Sequence, residues 1–123
     1  MTLNENHTNP RAPLADRFRT YLPVVIDIET GGFNSATDAI LEISAVILEM
    51  DQKENLVIKQ TFFNRIIPFD GANIEEAALK FTGIDPYHPL RIARSEKVVF
   101  QTMFKLVREA MKSNGCKRAI LVG

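Results

Sequence analysis

The sequence predicts an α/β domain, in which a mixed sheet opens with three antiparallel strands and continues through helices to a parallel strand. Three observations predict it. Runs rich in β-branched and aromatic residues, Pro23–Glu29, Ala39–Met50 and Leu56–Ile67, follow one another across short polar connections, as in an antiparallel meander. Phe100, Met103, Phe104, Val107 and Met111 form a stripe with the period of an amphipathic helix. The final run, Ala119–Gly123, is apolar almost throughout, as a buried parallel strand is.

Bulk properties narrow the class. The 123 residues suffice for one core and not for two domains. A chain that is 46% hydrophobic and 24% charged is globular in composition. No apolar run reaches the length of a membrane span, so no membrane partner is expected. The single cysteine, Cys116, excludes an internal disulfide, and the polar N-terminus lacks the apolar stretch of a signal peptide. Both predict a reducing, cytoplasmic setting. No Cys/His cluster suggests zinc: His7 lies in the N-terminal tail, and His88, between Pro86 and Pro89, reads as a loop residue. Net charge is zero but unevenly spread, with a balance of −6 over residues 1–85 and +6 over residues 86–123. An acidic half joined to a basic half suits a metal-dependent enzyme acting on a phosphate polymer. Exposed Lys-rich helices would give the same asymmetry.

Residues 1–13 read as a disordered tail. Leu14–Leu22 carries Leu14, Phe18, Tyr21 and Leu22 at helical spacing, with Arg17 and Arg19 projecting as a solvated face or as phosphate contacts. In the strand that follows, Val24, Ile26 and Ile28 share one face, while Val25, Asp27 and Glu29 share the other. Two carboxylates thus point the same way, their Cα atoms roughly 6.6 Å apart. Charges that close repel unless a cation neutralises them. The pair reads either as hard-oxygen ligands for Mg²⁺ or Mn²⁺, or as a strand end whose acids are solvated or paired with arginine.

Gly31-Gly32 is expected to turn the backbone through conformations closed to other residues. Phe33 beyond it is a core plug or a platform for a stacked base, and on its own residues reads as core. Ala39–Met50 is a long central strand, with a buried helix as the alternative. Asp51–Asn55 is a turn and Leu56–Ile67 the third strand. Asn73 is expected to cap a helix that sets Ile74, Ala77, Ala78 and Phe81 on one apolar face and stops at Thr82-Gly83, with Glu76 completing a capping box. Ser95 opens the second helix, and Gly115 closes it ahead of Lys117-Arg118 and the last strand. A buried strand of this kind belongs to a layer that continues, so the sequence reads as a fragment or a shortened reading frame.

With these residues in place, the chain resembles the N-terminal part of the DEDD superfamily of 3′→5′ exonucleases, in its ribonuclease T family. The likeness covers residues 14–123. It rests on VVIDIETGGFN, DAILEISAVIL, FTGIDPYHPLR and KRAILVG, with DRFR ahead of the first. It implies a ribonuclease H-like mixed sheet with Ala119–Val122 beside the Asp27/Glu29 strand. It also implies metal-dependent removal of nucleotides from the 3′ ends of transfer and other small RNAs, released as 5′-monophosphates. Asp27 and Glu29 match two of the four acids that hold two Mg²⁺ ions, with Mn²⁺ as an alternative, and are thereby catalytic. Phe33 and Phe81 match aromatics that stack on terminal bases. Arg17, Arg19, Lys112 and Arg118 match a basic patch that grips substrate for the partner subunit's site, which implies a homodimer. RNA 3′ ends are the expected partner, with single-stranded DNA a second polymer.

This sequence departs from the family pattern in two places. The positions of the other two acids and of a catalytic histidine lie beyond Gly123, so the 123-residue chain by itself is expected to be an inactive fragment. A glutamate that touches the terminal base is replaced by Ala77, next to Glu76. The alternatives are a non-catalytic nucleic-acid-binding or dimer-forming fragment and a proofreading exonuclease subunit of a DNA polymerase. The DRFR and GIDP segments speak against the last.

Overall fold

A computed structural model describes residues 13–123. The expected tail lies outside the described residues, except for Pro13. Pro13 opens α1 (Pro13–Arg17), where its missing N–H and fixed φ suit a first turn. The sheet then runs through β1 (Tyr21–Thr30), β2 (Ile40–Met50) and β3 (Leu56–Ile67). After these come α2 (Glu76–Thr82), the two-residue β4 (Arg94–Ser95), α3 (Glu96–Asn114) and β5 (Arg118–Val122).

The strand order is β4-β3-β2-β1-β5. β1 with β2 and β2 with β3 are antiparallel, and β5 runs parallel to β1, with Val24 opposite Leu121. The expected mixed sheet is therefore present, with the last strand beside the Asp27/Glu29 strand. The three meander strands form where the sequence places them, because period-2 apolar patterning and a charged five-residue turn favour a register that puts most of the apolar side chains on one face. That face carries Leu22, Val24, Ile43, Ala45 and Ile66. It packs under Val99, Met103 and Val107 of α3 and Leu14 and Ala15 of α1. Ser95 caps α3 by accepting from the Val98 N–H, and Gly115 closes it in the left-handed conformation at φ 66°.

Several expectations are corrected. The helix after Pro13 ends at Arg17. Arg19 and Thr20 then take positive φ (52° and 68°), and Tyr21 and Leu22 belong to β1. Thr20 O accepts from Lys117 N–H (2.9 Å), so this turn serves the β1–β5 junction instead of prolonging a helix. The α3 stripe is rotated: Val99 lies at its buried centre and Phe104 is exposed, stacked on Phe100 at 6.1 Å. β5 is parallel but not buried. Ile120, Leu121 and Val122 are about half exposed (48%, 54% and 46%), because the strand has a neighbour on only one side among the described residues.

The helix after residue 73 also differs. Its N-cap position is Glu75, without a side-chain cap, and no residue of α2 is buried. Asn73 instead sends its side-chain amide to Asp38 Oδ1 at 2.9 Å. A partner 35 residues away wins over the local cap because it satisfies a carboxylate that is itself buried. Gly83 ends α2 as expected, at φ 72°.

Candidate functional site

Asp27 and Glu29 leave the same face of β1, near its C-terminal end. Neither makes an ion pair among the described residues. Across the sheet, Asp27 is opposite Ser44 and Glu29 opposite Glu42; Ser44 and Glu42 are in turn opposite Phe63 and Arg65. Two carboxylates directly across a strand pair repel. Here Glu42 is drawn the other way, to Arg65 Nε at 3.6 Å, while Arg65 also stacks over the Phe63 ring. Glu29 is thus left without an ion-pair partner among the described residues.

The register slips just beyond Glu29. Glu29 pairs with Glu42 and Thr30 with Ile40, so Leu41 is an extra residue on β2. Arg91 takes up the irregularity by donating to Leu41 O (2.6 Å) and Ile66 O (2.9 Å). Burial pulls the Arg91 guanidinium down from its usual value, Glu42 acts against that shift, and the group remains a cation. Its Nε is buried without a partner. The loop carrying His88 is tied down locally, His88 Nδ1 accepting from Leu90 N–H at 3.1 Å.

The chain after β1 is tightly held. Gly31 N–H donates to Ala39 O (2.9 Å), and Gly31 O accepts from Glu75 N–H (2.7 Å), which fixes the start of α2 against the end of β1. Both glycines avoid positive φ, contrary to the expected turn conformations. What the site requires of them is space. A Cβ at Gly31 would crowd Ile74 at 3.3 Å, and one at Gly32 would collide with Asp38 Oδ2. Asp38 is buried and accepts from Asn73 Nδ2, Asn34 N–H and Thr37 Oγ1. Those donors, the Asn73 amide first, hold its carboxyl below the usual range.

Beside Glu29 this frame opens a cleft of about 390 Å³. Ile28, Thr30, Gly32, Phe33, Glu75, Ala77, Ala78 and Phe81 line it with Glu29. Phe33 is 99% exposed and Phe81 90%. Neither is the core residue that periodicity alone suggests. A short helix buttressed through one backbone contact to Gly31 has nothing to bury Phe81 against, so both rings stand free at the cleft. Ala77 lines the cleft as expected of that position. Glu76 points to Lys80 at 3.3 Å, and Glu75 lines the cleft instead.

The basic residues do not join this site. Arg17 ends α1, lies over the Phe18 ring and reaches Glu54 O in the β2–β3 turn. Arg19 adjoins Thr20, whose carbonyl holds Lys117 and Arg118, and Arg118 is opposite Tyr21. Lys112 occupies the last turn of α3, just before the chain reverses through Gly115. Arg19, Lys112 and Arg118 therefore collect at the Tyr21 end of β1. Six residues at about 3.3 Å each put that end roughly 20 Å from Asp27.

Two oxygen-donor side chains on a stiff strand, in no ion pair among the described residues, could hold a hard divalent ion that keeps water and takes further oxygens from a phosphate. Among the described residues there is no cluster of three or more metal-ligating side chains. Asp38, Asn73, Glu75 and Arg91 carry the frame and the cleft, yet no local pattern marks Asp38, Glu75 or Arg91, and the one at Asn73 points to a helix cap instead. Each acts through a partner on another element.

The chain is similar to known exonucleases. A family model described as exonuclease (RNase_T) matches residues 24–123. Ribonuclease T of Hahella chejuensis (strain KCTC 2396) is 53% identical over 121 residues, which are 98% of this chain and 56% of that protein. The chain thus spans little more than half the length of this curated relative. Among solved structures, E. coli exonuclease I in complex with a 5cy-dA13 oligonucleotide superposes with a TM-score of 0.56 at 21% identity, over 70% of this chain and 18% of that one. A product-bound structure of exonuclease I gives 0.55 at 21% identity, over 70% and 19%. At that identity the likeness shows the fold, the ribonuclease H-like mixed sheet.

Proposed function

The chain belongs to the RNase_T exonuclease family, and from that premise we propose that it is the N-terminal part of a metal-dependent 3′→5′ exoribonuclease. Its substrates are the 3′ ends of transfer and other small RNAs, and its products are nucleoside 5′-monophosphates. One observation carries the reading: Glu29, which shares a strand face with Asp27, lines a cleft that is walled by two exposed phenylalanine rings.

Each of the chain's residues has a task in that reaction. Asp27 and Glu29 hold the divalent ion, Mg²⁺ or Mn²⁺. When bound, such ions activate water and neutralise charge on the scissile phosphate. Phe33 and Phe81 stack on the terminal base, which seats its phosphate at the carboxylates. Stacking tolerates any base, since every base has a π-face. Arg19, Lys112 and Arg118, with Arg17 beyond them, lie too far along β1 to touch the same phosphate. Their place is on RNA backbone running to a second active site, in a homodimer working in a reducing cytoplasm. Single-stranded DNA is the second polymer this chemistry admits, since oligonucleotides of deoxyadenosine occupy the structurally similar exonuclease I.

A second reading for the 123-residue chain by itself is that it binds nucleic acid without cleaving it, since Asp27 and Glu29 match only two of the family's four acids. A 3′-labelled RNA separates the two. Release of labelled 5′-monophosphate that requires Mg²⁺ and disappears in Asp27→Asn supports the enzyme. A gel shift at low salt with no release supports the binding fragment. Absence of both sinks the two readings together.

A further inference from the structure

We infer that Arg91 is a positioning residue for Glu29: by holding Leu41, the extra residue of β2, it fixes where the end of β1 presents that carboxylate. The inference rests on the reading above, that Asp27 and Glu29 hold a divalent ion. It concerns a side chain from the loop before β4, to which that reading gives no role.

The end of β1 is where its pairing with β2 becomes irregular. Glu29 is the last residue in regular register, opposite Glu42, and Thr30 is opposite Ile40. A bulge leaves its extra residue out of the ladder, bends the strand and redirects the side chains beside it. Leu41 is that extra residue, and it is fully buried. A buried carbonyl outside the ladder needs a donor from elsewhere. Arg91 Nη2 supplies it at 2.6 Å, from 50 residues along the chain. Nη1 of the same guanidinium donates to Ile66 O at 2.9 Å and to Pro86 O at 3.4 Å. One rigid fork therefore ties the extra residue of β2 to the end of β3 and to the loop itself.

The surroundings of Arg91 fit a clamp. Tyr87, Leu90 and Ile92 on the same loop are exposed, while Asp85 and His88 accept from the loop's own N–H groups. Arg91 is the side chain that carries the loop into the sheet. Its Nε is buried without a partner, so the group sits where the two strand carbonyls require it and not where all its donors are met. Glu42, Asp85 and Arg65 are the charged groups that act on it. Arg65 and Arg91 both act on Glu42, so the carboxylate opposite Glu29 is offset by two cations. A lysine would keep the charge, but a single ammonium cannot reach carbonyls on two strands in fixed directions. Groups that orient a metal-holding side chain without touching the ion change its affinity by about 10–100-fold when they are lost.

The full chain can be titrated with Mn²⁺ and read by paramagnetic broadening of the Asp27 and Glu29 NMR signals. Arg91→Lys is expected to need about tenfold more Mn²⁺ for the same broadening. Without metal, the same variant is expected to shift the backbone amides of Glu29, Thr30 and Gly31. Val107→Ala, which loosens the core under α3, serves as the control for lost stability alone. It is expected to lower the urea midpoint and leave both readouts native. In Arg91→Ala, added methylguanidinium is expected to restore the Mn²⁺ response. A native Mn²⁺ response in folded Arg91→Lys overturns the inference and leaves the ion site standing. So does an equal loss in Val107→Ala, or a rescue of the fold without a rescue of the Mn²⁺ response. Failure of both Arg91 variants to fold would make Arg91 a scaffold residue and overturn the inference as well. If Mn²⁺ broadens neither Asp27 nor Glu29 in the native chain, the inference fails with the reading beneath it.

Discussion

Asp38 lays its carboxylate against the backbone of Gly32, in the space a β-carbon would need. Gly32 is followed by Phe33 of the cleft, and Asp38 is tied to Asn73, two residues before Glu75. One glycine–aspartate contact therefore sets the spacing between the two walls of the site.

Gly32→Ala is expected to destabilise the fold by about 1–3 kcal/mol, the usual cost of forcing a methyl group into packed structure. The methyl must displace a buried carboxylate with three hydrogen bonds instead of a flexible side-chain tip. Urea unfolding measures the loss. A midpoint equal to the native one would show that the loop yields freely.

Asp38 gives the fold a dependence on acid. Its carboxyl is held below the ordinary 3.8 in the folded chain, so the unfolded chain takes up the proton first. The stabilisation is complete above that value and is lost as pH falls through and below it. Asp38→Asn removes the charge but not the shape. The stability difference between native and variant is expected to shrink as pH drops from about 5 to about 3. Urea midpoints at several pH values check this, and a difference constant across the range would refute it.

Phe33→Ala and Phe81→Ala are expected to leave unfolding stability within about 0.5 kcal/mol of native, because both rings stand in solvent. Each is expected to weaken binding of a short single-stranded RNA by about 1–3 kcal/mol. A large loss of stability in either variant would return that residue to the core.

Arg19 and Arg118 act, on the present reading, through phosphates remote from the carboxylates. Each substitution to alanine is expected to lower the slope of log K against log salt by about 0.7, the value for one single-strand phosphate contact. Calorimetric affinity for Mn²⁺ should not change. An effect on the ion without one on the salt slope would mean that the two regions communicate directly.

Much of the frame is legible in the sequence because it depends on period. Alternation over 23–29, 39–50 and 56–67 and the capped helix from Ser95 to Gly115 mark the meander and the long helix. The Asp27/Glu29 pair is legible too, since alternation along a single strand puts both carboxylates on one side.

What period alone could not settle are features set by partners far along the chain. Phe81 sits at helical spacing with Ile74 and Ala78, yet it is exposed because α2 meets β1 at its end and not on its face. Asn73 looks like a cap and serves Asp38, while Gly32 looks like a turn residue and serves as empty space. The sequence by itself determined the strands, the long helix and the direction of the two acids, because those follow from contacts within a few residues. Only the tertiary structure decided which side chains border the cleft and which end of β1 holds the cations. Those depend on how separate elements satisfy one another's buried polar groups.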